Sequence, residues 1–196
     1  MTHIVKHPLK WRMADIEGDG VEFVNVVMPE QDPLSNKEIL LSTDIPSPLN
    51  SSMDIRWSDE DIDLFQILLF KMLDICDLEN EQLGLNQPEL VDVLHIVAAA
   101  HFIEPIDAEI FLAEDISTIH MEVDLGDLIS VHTKDGFKTA IVADLDSIEA
   151  VCVLLEPLEI DGEDVLDIYD TFVVNKHNIL PPEFGNVLPG DEAVIH

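Results

Sequence analysis

The chain has 196 residues, room for one domain or two small ones, and 47% are hydrophobic, enough to build a buried core. Nine Lys and Arg stand against 41 Asp and Glu, a formal net charge of −32, which repels phosphate and argues against direct binding of DNA or RNA. The acids are interleaved with Leu, Ile and Val, with no acidic block beyond four residues, which describes a folded protein with a negative surface and not a disordered tail. Three accounts of that surface stay open: solubility, a basic partner, or mimicry of DNA that captures a nucleic-acid-binding protein.

The N-terminus, MTHIVKHPLKW, has no apolar signal region, so export is not expected. Residues 9–56 read as strands and loops. Gly18, Asp19 and Gly20 mark a turn, VEFVNVVM and EILLSTDI are β-branched or apolar strand segments, and Pro46 to Ser52 form a loop. Ser58 is a good N-cap, with Asp59, Glu60 and Asp61 placed where a helix dipole favours negative charge. The run from Ile62 to Leu78 is apolar on more than one face: Phe65, Leu68, Leu69, Met72 and Ile75 form a stripe flanked by Ile67 and Phe70. It reads as a helix largely buried in the core.

After the polar connection ENEQLGLNQ, Pro88 suits the first position of a second helix, Glu89–His101, which Pro105 ends. A strand, AEIFLAED, is expected next. The longest apolar runs, FQILLFKML and LHIVAAAHFI, stop well short of the roughly 20 residues a membrane span needs, so no membrane contact and a cytoplasmic protein are expected.

From Gly126 to Pro182 the pattern changes to short alternating strands cut by turns. Asp135-Gly136 and Asp161-Gly162 are hairpin signals, because a type I′ turn needs two residues that tolerate positive φ. Strands spaced in this way predict a small barrel of the SH3 or KOW kind. The expected fold class is therefore α+β. An N-terminal α/β domain with two core helices (residues 1–122) packs against a C-terminal KOW-like β-barrel (residues 123–182), followed by a mobile tail (residues 183–196).

The sequence holds little that reads as chemistry. Cys76 and Cys152 lie in apolar runs and read as isolated buried thiols. His3 and His7, and His95 and His101, lack a third ligand at a recognisable spacing, and Asp161, Glu163 and Asp164 lack the spacing of an EF-hand. No nucleophile elbow, P-loop or GxGxxG occurs. A non-enzymatic protein without cofactor or metal is expected. Trp11, near the start of the first strand, reads either as core or as an anchor lining a partner pocket.

In order and spacing, LKWRMADIEGDGVEFVNV, LVDVLHIVAAAHFIEP, GDLISVHTKDGFKTAIVADLDSIEAVCVLLEPLEIDG and DTFVVNKHNILPP resemble the ZapC family of Z-ring-associated cell division proteins. The resemblance implies a cytoplasmic septation protein acting in the cell cycle, monomeric or weakly self-associating. Such a protein binds filaments of the tubulin-like GTPase FtsZ, promotes their lateral association and stabilises the Z-ring. It also implies a partner pocket on the VEFVNV strand, with Val24 on the position of a pocket leucine and Phe23 and Val26 beside it. Two positions that the resemblance expects to be basic hold Glu104 and Asn178, with Lys176 and His177 close to the second. FtsZ is itself acidic, which favours an apolar contact over simple charge attraction. The alternative function is an acidic inhibitor that mimics DNA.

Overall fold

The computed structural model describes residues 9–14, 21–29, 38–48, 54–75, 87–113 and 121–182. It divides into two compact units, Met1–Ile103 and Glu104–His196. The turn at Gly18–Gly20, Cys76, His3, His7 and the tail from residue 183 lie outside the described residues.

In the first unit, four strands form an antiparallel sheet in the order β3-β2-β1-β4: β1 (Lys10–Ala14), β2 (Phe23–Pro29), β3 (Glu38–Pro46) and β4 (Asp54–Arg56). Period-two alternation gives β1 two distinct faces. Trp11 lies opposite Val26 and Ile55, and Met13 opposite Val24, on one face. Lys10 lies opposite Val27 and Arg56, and Arg12 opposite Asn25 and Asp54, on the other. The Trp11 face meets the helices α1 (Asp59–Ile75) and α2 (Gln87–Phe102) through aromatic contacts. Trp11 stacks on Trp57 at 4.6 Å between centroids and meets Phe102 edge-on at 5.5 Å, while Trp57 meets Phe65 edge-on at 5.4 Å. Such pairs add to the stabilisation from area burial alone.

The deeply buried helix is α2, with every residue from Val93 to Ala99 buried. Helix α1 buries Leu64 and Leu68, one turn apart, but leaves Phe70 67% exposed. Its apolar content exceeds the width of the face it has to cover.

The second unit carries a six-stranded sheet in the order β12-β6-β7-β8-β11-β5. Its strands are β5 (Ile106–Asp107), β6 (Leu128–Thr133), β7 (Gly136–Leu145), β8 (Glu149–Leu154), β11 (Thr171–Asn175) and β12 (Ile179–Leu180). Strands β9 (Leu158–Ile160) and β10 (Glu163–Leu166) pair as a separate hairpin. The core of this unit gathers Phe111, Ile129, Val131, Val142, Cys152 and Phe172, with Phe111 and Phe172 edge-on at 5.5 Å. The AEIFLAED segment, expected as a strand, begins instead as a short 3-10 helix, Ala108–Ile110, in which the Asp107 side chain accepts the Glu109 N–H at 2.9 Å. An aspartate that can cap its own following turn competes with strand pairing.

These observations correct the expected fold class. Among the described residues strands predominate, twelve of them in three sheets against two α-helices, and no sheet closes into a barrel. The six-stranded sheet ends at β12 on one side and β5 on the other, each only two residues long. Closure needs end strands long enough, tilted and staggered enough, to pair with each other. Alternation and turn spacing specify strands but not whether the first and last of them meet. The α/β description fails as well, since neighbouring strands of the first sheet are antiparallel and lack the parallel crossovers of that class.

The two Asp-Gly turns also differ. Asp161 and Gly162 both take positive φ, 56° and 80°, joining β9 to β10 as a type I′ turn requires. At the β6–β7 turn only Gly136 is positive, at 91°, and Thr133 pairs with Gly136 itself. There the Thr133 hydroxyl takes up the polar backbone, accepting the Asp135 N–H at 3.1 Å and donating to the Gly136 carbonyl at 2.7 Å.

Candidate functional site

Trp11, Phe23, Val24 and Val26 share the first sheet. Trp11, Val24 and Val26 each have 0% of their surface exposed, so the free chain presents none of them to a partner. They lie on the face that meets the helices, Trp11 against Val26 and Met13 against Val24. Phe23 alternates to the opposite side of β2 from Val24, pairs with Ala14 and Pro46, and is half-buried.

A polar cluster that the sequence did not reveal joins three elements of this unit at Asp61. Its carboxylate accepts the Trp11 indole N–H at 3.1 Å and the Ser58 backbone N–H at 2.9 Å, and it pairs with His101 Nδ1 at 2.8 Å. The Ser58 hydroxyl in return accepts the Asp61 N–H at 3.1 Å, which completes a capping box at the start of α1. Burial pushes the Asp61 carboxyl upward, but the hydrogen bonds from His101, Ser58 and Trp11 outweigh it and hold the group below the ordinary carboxylate range. An aspartate–histidine pair can orient a general base. Here both carboxylate oxygens are taken up in holding β1, α1 and α2 together, so the cluster acts as a clamp of the fold. Ser58 three residues before Asp61 was the local signal; Trp11 and His101 lie 50 and 40 residues away.

On the other face of the sheet, Arg12 pairs with both edge strands. It binds Asp54 of β4 through two nitrogens at 2.7 and 2.8 Å and Glu38 of β3 at 2.9 Å, and Lys10 reaches Asp54 at 3.4 Å. The hydrogen bonds from Arg12 hold the Asp54 carboxyl down to about 2, and those to Asp54 and Glu38 raise the guanidinium in turn.

Lys176 belongs to the second unit and is engaged within it. Its Nζ donates to the Asp146 carbonyl and its backbone N–H to the Ile148 carbonyl, closing the turn between β7 and β8. The Asp146 side chain accepts the Ile148 and Glu149 N–H groups at 2.6 and 2.7 Å and is held below its ordinary value by them.

Nearby, a cleft of about 330 Å³ is lined by Pro105, Asp107, Glu109, Glu149 and Asn178, among others. Of the two positions that the resemblance expects to be basic, Asn178 lies on the wall of this cleft and Glu104 directly precedes Pro105 in the chain. With three carboxylates on its wall, this cleft repels an acidic partner.

No protein-family model matches the chain, and no curated protein matches it. Among the described residues, no three His, Cys, Asp or Glu side chains are grouped so as to hold a metal ion, and no helix is long and apolar enough to cross a membrane.

Proposed function

We infer that this chain is a non-catalytic, cytoplasmic cell division protein of the ZapC kind, one that binds FtsZ filaments, promotes their bundling and stabilises the Z-ring. What supports the reading beyond the resemblance is the use the fold makes of its polar groups. Asp61, Ser58, Trp11 and His101 are spent on joining β1, α1 and α2, and Lys176 on a turn. What the described residues offer outward is surface: exposed apolar side chains such as Phe70, Ile148 and Ile110, and a strong negative charge. That is the equipment of an adaptor that presents faces to a polymer.

The experiment is co-sedimentation with FtsZ polymers, with light scattering to report bundling. The protein should pellet with the polymers and raise their scattering, and its binding should improve from low salt to about 0.15 M as the mutual repulsion of two acidic proteins is screened. Failure to pellet at every salt concentration would overturn the reading. Capture of a basic nucleic-acid-binding protein, weakening steeply as salt rises, would favour the DNA-mimic alternative that the charge of −32 keeps in play.

A further inference from the structure

The chain has nine Lys and Arg, and Lys10, Arg12 and Arg56 project from one face of the first sheet. Among the described residues of that unit, Lys71 is the only other one. Register puts them side by side. One row across the sheet runs Leu40–Val27–Lys10–Arg56 and the next runs Ser42–Asn25–Arg12–Asp54. Adjacent strands lie about 4.8 Å apart, so Lys10 and Arg56 are neighbours, and Leu40 sits about 14 Å from Arg56 along the same row.

Asp54 and Glu38 pair with Arg12, and Asp54 also with Lys10. No ion pair reaches Arg56 among the described residues, and its side chain is exposed. Leu40, at the other end of the row, is 39% exposed, but Val27 between them is buried, so the open part of the row is its Lys10–Arg56 end. Among the described residues, Arg56 is thus the cation of this cluster left without an anion, on a chain with a net charge of −32.

We propose that the Lys10–Arg56 end of this face docks an acidic segment of the partner polymer. A partner carboxylate would meet Arg56 and Lys10. The chemistry fits a carboxylate because a guanidinium presents a planar fork that a carboxylate can accept at two points. It also accounts for how two acidic proteins associate. At physiological salt the Debye length is about 8 Å, so carboxylates elsewhere on the chain are largely screened from the contact, while Lys10 and Arg56 act within it. The acidic cleft of the second unit offers no such complement. This docking deepens the reading above and rests on it for the polymer that serves as probe.

The test compares the wild-type chain, Arg56→Glu and Lys71→Glu in co-sedimentation with FtsZ polymers over a salt series. The two variants change the net charge equally, at two different places in the first unit. Circular dichroism melts should confirm that both are folded, since Arg56 is exposed on an edge strand. The docking predicts that Arg56→Glu binds at least about tenfold more weakly at physiological salt, while Lys71→Glu stays within about twofold of wild type. Wild-type binding should rise to about 0.15 M salt and fall again toward about 1 M, as the contact pairs themselves are screened. If wild type pellets and Arg56→Glu pellets equally well, the face is wrong and the functional reading stands. If both variants lose affinity equally, net charge alone governs binding and the face is again wrong. If wild type fails to pellet, the functional reading falls and this docking with it.

Discussion

Replacing Asp61 with alanine removes the acceptor that joins β1, the start of α1 and the end of α2. Three interactions disappear, from Trp11 Nε1 at 3.1 Å, the Ser58 N–H at 2.9 Å and His101 Nδ1 at 2.8 Å. Trp11 has no exposed surface, so its indole N–H cannot turn to water, and an unsatisfied buried donor costs about 1–3 kcal/mol. Loss of the reciprocal cap at Ser58 adds about 0.5–1 kcal/mol. His101 is exposed and can be solvated, which limits its share to under about 1 kcal/mol. The sum is about 1.5–5 kcal/mol, a large part of the 5–15 kcal/mol by which domains are typically stable. Both tryptophans of the chain, Trp11 and Trp57, stack within this cluster, so their fluorescence in a urea titration reports the first unit. The single tyrosine, Tyr169, lies in the second.

The Trp-detected midpoint should therefore fall with little change in slope. Asp61→Asn, which keeps one carbonyl acceptor, should lose less. The pH dependence has a definite sign. The Asp61 carboxyl is held below its ordinary value in the folded chain, so its contribution is present above the unfolded value near about 4 and is lost as pH falls through the lower folded value. The alanine variant should lack that part of the acid sensitivity. A loss below about 1 kcal/mol in Asp61→Ala would refute the clamp.

Two further outcomes are expected. Val24→Asp should unfold the first unit, because Val24 is fully buried and an unpaired buried carboxylate costs several kcal/mol; a native-like thermal melt by circular dichroism would instead show the site open to water and return it to partner binding. Gly136→Val should destabilise the second unit by about 1–2 kcal/mol from backbone strain at φ 91°, since an added Cβ would meet nothing within 4 Å; a far-UV urea titration that shows no loss would mean the turn relaxes freely.

The local grammar of the chain was legible in its residues. Ser58 announced the start of α1, Pro88 the first turn of α2, and VEFVNVVM and EILLSTDI the strands β2 and β3, because caps, proline and side-chain alternation act within a few residues of themselves. The structure puts Trp11 on the apolar face of β1 and Lys10 and Arg12 on the other. What tertiary structure alone decided is which distant segments complete those faces. Asp54 and Arg56 join Lys10 and Arg12 only through the register of β4 on β1, and Trp11 and His101 find Asp61 only when sheet and helices are packed. The same limit explains the barrel that did not form. Asp161-Gly162 and Asp135-Gly136 look alike as dipeptides, yet one makes a turn with two positive φ angles and the other a turn with one, because strand register and not the dipeptide sets the geometry. Whether β12 and β5 meet depends on the twist and stagger accumulated over six strands, a property no window of sequence contains.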